Sequence, residues 1–270
     1  MKSFKFLILI ILYTSFYNQD LIFGQKKFQI SSEKEAIILG SSAALILSSL
    51  ILEKNIRINP QEIFSLSVND INSFDRSAVN YYSKNLSVVS DVLMITSVSL
   101  PVSFILMKEA KSELKSIGIL YLETLTLTYG ITNLTKNIFQ RFRPYAYNQS
   151  VNFSEKLDLD TKKSFFSGHT SISFASAVFF STVFSELGSD EKMKIFVWIS
   201  SLSIATSTGL LRYFSGKHFP TDIIAGAIVG SLIGYTIPKI HKSEGDLNFN
   251  LFGNQNLISI SIGFDSRFLR

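Results

Sequence analysis

The chain has no cysteine. Disulfides, thiolate metal sites and cysteine nucleophiles are therefore excluded, while the compartment is left open. It is also poor in charge: 17% of its 270 residues are Asp, Glu, Lys or Arg, against about 25% in ordinary soluble domains. The net charge of +5 is modest and no basic block occurs, so nucleic acid is not an expected partner. Histidine is scarce, with three in all, so imidazole chemistry has few places to reside. What the chain has in quantity is apolar surface: 46% hydrophobic residues and a mean hydropathy of +0.27. That balance fits a membrane protein or a very apolar helical bundle, of one domain or at most two.

The first residues, Met1-Lys2-Ser3-Phe4-Lys5 and then apolar Phe6 to Leu12, fit a secretory signal peptide over 1–24, with an uncleaved anchor as the alternative. Six apolar runs follow: Ala36 to Leu52, Leu86 to Met107, Ser116 to Phe139, Thr170 to Phe184, Ile195 to Leu211 and Ile223 to Pro238. Asp91 and Pro101 interrupt the second, and Glu123 the third. The first, at 17 residues, is at the lower limit for spanning a bilayer. The runs predict an all-α bundle of about six apolar, transmembrane helices. Small residues crowd the later ones, with Ser171, Ser173 and Ala175, then Gly226, Gly230 and Gly234. In lipid these let helices approach closely; a soluble bundle would use them as ordinary core packing.

Lysines mark the links after the second, fourth and sixth runs: Lys108, Lys111 and Lys115, then Lys192 and Lys194, then Lys239 and Lys242. The positive-inside rule makes these cytoplasmic and turns the links 139–169 and 212–222 outward. A cleaved signal peptide followed by a complete first span would invert this order, so the two expectations conflict at the N-terminus. Beyond residue 242 the period changes to two, with Leu247, Phe249 and Leu251, then Ile258, Ile260 and Ile262, on either side of Gly253-Asn254. This predicts a β-hairpin in the tail, 243–270.

Three clusters carry chemistry. Lys136 and Arg143-Pro144 are two helical turns apart, which predicts one shared helix face. Phe166-Ser167-Gly168-His169-Thr170 combines a glycine for close backbone approach, hydroxyls able to cap a helix, and a histidine. In Arg212-Tyr-Phe-Ser-Gly-Lys-His218-Phe-Pro220-Thr-Asp222, Pro220 predicts the first residue of a helix with Asp222 in its first turn and His218 just ahead. Separately these have plain explanations: snorkelling cations, a capped helix start, a surface His–Asp contact. Together, on links assigned to one side, they gather three cations, two helix N-termini, two histidines and an aspartate. That inventory suits a phosphate, a nucleophile and an acid. No residues at metal-ligand spacing remain, so neither metal nor cofactor is expected.

Lys136-x6-Arg143-Pro144, Ser167-Gly168-His169 and Arg212-x5-His218-x3-Asp222 resemble the three-part signature of the type 2 phosphatidic acid phosphatase (PAP2) superfamily, which includes bacterial acid phosphatases and vanadium haloperoxidases. The resemblance covers about residues 86–240. Phe166 stands where the family usually has proline and Leu211 where it has serine, and loss of that serine bears on how Arg212 is oriented. The resemblance implies His218 as nucleophile through a phosphohistidine, Asp222 as the holder of its imidazole, and His169 as acid and then base. It implies Lys136, Arg143, Ser167, Gly168 and Arg212 as phosphate ligands, with no metal.

The expected domain is a phosphatase unit over 25–242. Its expected setting is a bacterial inner membrane, multi-pass, with the site facing the periplasm. The expected partners are a lipid phosphate and the bilayer, with no obligate protein partner evident. Substrates in reach are phosphatidic acid, phosphatidylglycerol phosphate, polyprenyl diphosphate and lipid A phosphate. The alternatives are a soluble periplasmic acid phosphatase, a non-catalytic lipid-phosphate binder and, more distantly, a haloperoxidase.

Overall fold

The computed structural model describes residues 26–188, 190–243, 250–254 and 257–261. The expected leader over 1–24 lies outside these residues, as do Leu247, Phe249 and Ile262 of the tail. Each apolar run is a long helix: α1 Ser32–Glu53, α2 Lys84–Ser99, α3 Leu114–Phe139, α4 Gly168–Leu187, α5 Glu191–Phe214 and α6 Pro220–Ile240. At Pro101, where the backbone loses an N–H donor, α2 continues as the 3-10 segment Leu100–Leu106. Five of the six helices, all but α3 and with α2 taken together with its continuation to Leu106, are long and apolar enough to cross a membrane. In the tail, Asn250–Asn254 (β1) pairs antiparallel with Leu257–Ser261 (β2), the expected hairpin.

The bundle is polar within and apolar without. Leu50, Ile51, Ile95, Ile199, Ile228 and Leu232 are exposed, whereas Ser90, Ser97, Thr124, Thr128, Ser173 and Ser181 are buried. Several of these hydroxyls satisfy themselves on the preceding turn: Thr124 Oγ1 donates to the Leu120 carbonyl at 2.8 Å and Thr128 Oγ1 to that of Thr124 at 2.7 Å. Water would punish such an exterior, and lipid welcomes it. The chain is a membrane protein, and the soluble-bundle expectation is set aside.

Helix α4 is the centre, packed against α2, α3, α5 and α6. Its tightest neighbour is α6, whose Gly226, Gly230 and Gly234 recur once per turn. A Cβ at these positions would lie 2.7 Å from the Ser167 carbonyl oxygen, 2.1 Å from that of Ser171 and 2.4 Å from that of Ala175. Only a glycine face allows this backbone-to-backbone contact. It locks the start of α4 against the start of α6, where two of the sequence clusters lie. The aromatic and aliphatic core of Phe28, Phe104, Leu120, Phe179, Val183 and Ile237 packs toward the opposite end.

Candidate active site

Four helix ends meet at one end of the bundle: the C-termini of α3 and α5 and the N-termini of α4 and α6. Pro220 opens α6 as expected, and the Asp222 carboxylate in its first turn accepts from Phe219 N at 2.9 Å. Ser167 caps α4, its Oγ accepting from Thr170 N at 3.4 Å. The Ser167 N–H donates to the Asp222 carbonyl at 3.0 Å, which ties the two helix starts together. A Cβ on Gly168 would stand 3.3 Å from Thr132 and 3.6 Å from Lys136 Cε, so the backbone here does lie close to a cation.

Lys136 and Arg143 do not share a helix face. Helix α3 ends at Phe139, and Gln140 turns left-handed at φ 44°. Pro144 disfavours helical geometry in the residue before it; Arg143 is accordingly extended and heads the short helix Pro144–Tyr147. The cations still converge, one from a helix end and one from a loop. Lys136 Nζ donates to the Lys163 carbonyl at 2.8 Å. Arg143 is clamped by Asp160, through Nε to its carbonyl at 2.8 Å and Nη2 to its carboxylate at 2.6 Å.

His218 is fully buried at the focus. Its Nε2 lies 3.5 Å from Arg143 Nη1, and its Nδ1 lies 3.6 Å from Asp222 Oδ2. The second distance exceeds a hydrogen bond, and Asp222 is occupied elsewhere. Its Oδ1 accepts from Arg141 at 2.6 Å, and its Oδ2 from Ser164 Oγ at 2.5 Å and from Phe219 N. Burial, and then the charges of Arg143, Lys136 and Arg212, hold the His218 pKa well below the ordinary histidine value. The same causes favour the neutral form of the imidazole. For Asp160, burial pushes upward, but Arg143, Lys136 and Lys217 prevail and leave its pKa lowered.

Helix α2 supplies what the sequence clusters lack. Arg212 Nη1 donates to Ser87 Oγ and Ser90 Oγ, both at 3.1 Å, and to Asp91 Oδ1 at 3.2 Å. Leu211 therefore does not leave Arg212 loose. The Arg212 Nε is buried and has no partner among the described residues. His169 Nε2 lies 2.7 Å from the same Asp91 Oδ1. Asp91 was visible as the lone carboxylate in an apolar run, a position that requires a partner, though nothing in its spacing named that partner.

Arg141, Asp75 and Ser164 escaped the sequence reading altogether. Arg141 spans two buried carboxylates, with Nη1 on Asp222 and Nη2 on Asp75 at 2.7 Å. Asp75 also accepts from Thr221 N at 3.0 Å, Thr221 Oγ1 at 2.6 Å and Asn72 Nδ2 at 2.8 Å. All eight sequence-predicted residues, Lys136, Arg143, Ser167, Gly168, His169, Arg212, His218 and Asp222, thus lie at this one end of the bundle.

Residues 117–246 match the PAP2 superfamily. The lipid A 4'-phosphatase of Porphyromonas gingivalis is 28% identical over 136 residues, which is 50% of this chain and 54% of that protein. The lipid A 1-phosphatase of the same organism is 30% identical over 151 residues, 52% of this chain and 29% of that protein. The chain thus spans about half the length of the first relative and less of the second. Among solved structures, a transmembrane PAP2-type phosphatidylglycerolphosphate phosphatase from Bacillus subtilis aligns with a TM-score of 0.49 at 21% identity, over 74% of this chain and 94% of that one.

Proposed function

Residues 117–246 belong to the PAP2 superfamily, and from that premise we propose that the chain hydrolyses lipid phosphates through a phosphohistidine, without a catalytic metal, in a domain running over 25–242. The observation that carries the proposal is the setting of His218. A neutral, buried imidazole has its Nε2 beside the Arg143 guanidinium and its Nδ1 facing the Asp222 carboxylate. His218 Nε2 attacks phosphorus, and a P–N bond replaces the P–O bond to the lipid. Asp222 keeps the proton on Nδ1 and steadies the imidazolium that forms, closing its 3.6 Å gap as the charge develops.

His169 gives its proton to the leaving oxygen. It then takes a proton from the water that attacks phosphorus and frees His218. Asp91 orients that histidine. Lys136, Arg143, the free Nε of Arg212, Ser167 and the Gly168 N–H bind the phosphoryl oxygens, at a helix start that favours negative charge. The apolar exterior delivers a lipid in the plane of the bilayer. The names of the two Porphyromonas gingivalis relatives support glycolipid phosphates of the lipid A class as the first substrates to test, ahead of phosphatidic acid, phosphatidylglycerol phosphate and polyprenyl diphosphate. The lysine-marked links support a site on the periplasmic face of a bacterial inner membrane.

The test is phosphate release from these lipids and from one soluble ester, with brief exposure to EDTA, for wild type and His218→Ala. Release from lipids that survives EDTA and is lost in the variant is the expected result. Equal release from the soluble ester would favour a non-specific acid phosphatase. Lipid binding without turnover in the wild type would leave a binder.

A further inference from the structure

The third histidine has no part in this chemistry. His241 follows α6 at the end of the bundle opposite the catalytic groups, and it is fully buried. Its Nδ1 lies 2.9 Å from the Ile237 carbonyl, a bond that requires a proton on Nδ1. The Nε2 lone pair is then directed inward, and Nε2 has no hydrogen-bond partner among the described residues. It lies 3.3 Å from Glu35 Oε1 and 3.6 Å from Glu123 Oε2. Glu123 is also fully buried, in the third turn of α3, and neither of its carboxylate oxygens has a hydrogen-bond partner among the described residues. Glu35 sits in the first turn of α1; its Oε1 accepts from Ser31 N at 3.1 Å, and its Oε2 is buried and unpartnered. The ligand atoms of all three residues lie within 4.8 Å of one another.

We infer that Glu35, Glu123 and His241 form a structural site for a divalent transition-metal ion that staples α1, α3 and α6 together. Two carboxylates buried side by side without a cation repel each other and lose their hydration. A dication bound by two carboxylates and one neutral imidazole removes that cost. The separations of 3.3 and 3.6 Å bracket the edge of about 3.4 Å of a tetrahedron with metal–ligand bonds of about 2.1 Å. A ligating imidazole held through its other nitrogen by a carbonyl is the usual supporting arrangement. The mixed N/O donor set favours Zn2+, Mn2+, Co2+ or Fe2+ over Ca2+ and Mg2+, which prefer oxygen alone. The three residues come from distant parts of the sequence, which is why no metal spacing was legible and no metal was expected.

The staple would act where residues 27–34 meet residues 240–243. Gln29 N donates to the His241 carbonyl at 2.7 Å, Ser243 N to the Lys27 carbonyl at 2.9 Å, and Lys34 Nζ to the Ile240 carbonyl at 2.8 Å. Glu123 is 13 positions before Lys136 on α3, about 20 Å along the helix, so the ion would stand apart from the phosphate chemistry.

The experiment uses the full chain in detergent, stripped by prolonged chelation and titrated with Zn2+ and, separately, with Co2+. The expected result is one equivalent of Zn2+ per chain, a raised melting temperature, and the visible d–d bands of a low-symmetry Co2+ site. His218→Ala, which removes an imidazole at the other end, should bind as wild type does. His241→Ala and Glu123→Gln should weaken binding by at least about tenfold, the smallest loss expected even for a supporting residue. No binding to the stripped wild type would overturn the inference and leave an imidazolium between two carboxylates. Binding lost in His218→Ala but kept in His241→Ala would overturn it as well. Both decisive readings are made on wild type or on a distant variant, so poor folding of Glu123→Gln does not obscure them.

Discussion

Arg141 and Asp222 meet at 2.6 Å, with the carboxylate wholly buried. Asp222 is the group that faces His218, the proposed nucleophile, so the charge it presents there depends on a guanidinium that lies between Lys136 and Arg143 without being a signature residue. Asp75, on the other side of that guanidinium, fixes its orientation. Removing Arg141 leaves two buried carboxylates short of a cation, and breaking such a pair costs about 3 kcal/mol or more. Arg141→Ala is expected to lower the melting temperature and kcat together. Asp75→Asn keeps the shape and should lower kcat with little change in KM. Steady-state kinetics on both variants check this; an unchanged kcat in each would remove the positioning role.

The Asp91 carboxylate serves His169 and Arg212 at once. If His169 protonates the leaving group, His169→Gln should slow hydrolysis of a lipid alkoxide ester by about 100-fold or more, the usual contribution of a positioned acid. An aryl phosphate leaves without such help, so its loss should be much smaller. Asp91→Asn should show the same pattern more weakly. Equal losses on both ester types would assign His169 to phosphate binding instead.

The Gly230 contact with Ser171 leaves no room for a methyl group. Gly230→Ala must push α6 off α4, an overpacking cost of about 1–3 kcal/mol. Activity should fall with it, because the same contact sets the spacing of the two helix starts. Gly118→Ala is the control: nothing lies within 4 Å of its Cβ position, and α3 should be unchanged or slightly more stable. Thermal unfolding in detergent, read beside phosphate release, compares the two.

His218 also sets a pH dependence. Its pKa in the fold is lowered, so in acid the unfolded chain takes up the proton first. Its contribution to stability is therefore complete above about pH 6.5, the ordinary histidine value, and is lost as pH falls below that. Asp160 and Asp75 are lowered as well, and their contributions are lost only below about pH 4. The melting temperature of wild type should thus fall more steeply between pH 7 and 5 than that of His218→Gln. Parallel curves would mean that the imidazole is not held neutral.

Local chemistry was the legible part of this molecule. Pro220 and Ser167 announced their helix starts because proline and serine act on the neighbouring backbone alone. The six apolar helices were readable because length and hydropathy are properties of a segment, although α3 is not among the five long and apolar enough to cross a membrane. The end of α3 was misjudged because Lys136 and Arg143 fit a helical period, whereas the helix already stops at Phe139 where Gln140 turns left-handed. Asp75, Arg141 and Ser164 were invisible for another reason: each matters through a partner at least 58 residues away, and no period or motif encodes that distance.

The hydroxyls of Ser87 and Ser90 on Arg212 change where the molecule can be divided. Where the family signature places a serine beside its arginine, this chain has Leu211 and tethers the arginine from α2 instead. That helix, like Asp75, precedes residue 117. A chain trimmed to the matched region would keep every signature residue and still lose the tether of Arg212, the companion of His169 and the second anchor of Arg141. In this protein the unit that holds the site together is larger than its recognisable motif, and it reaches back at least to Asp75.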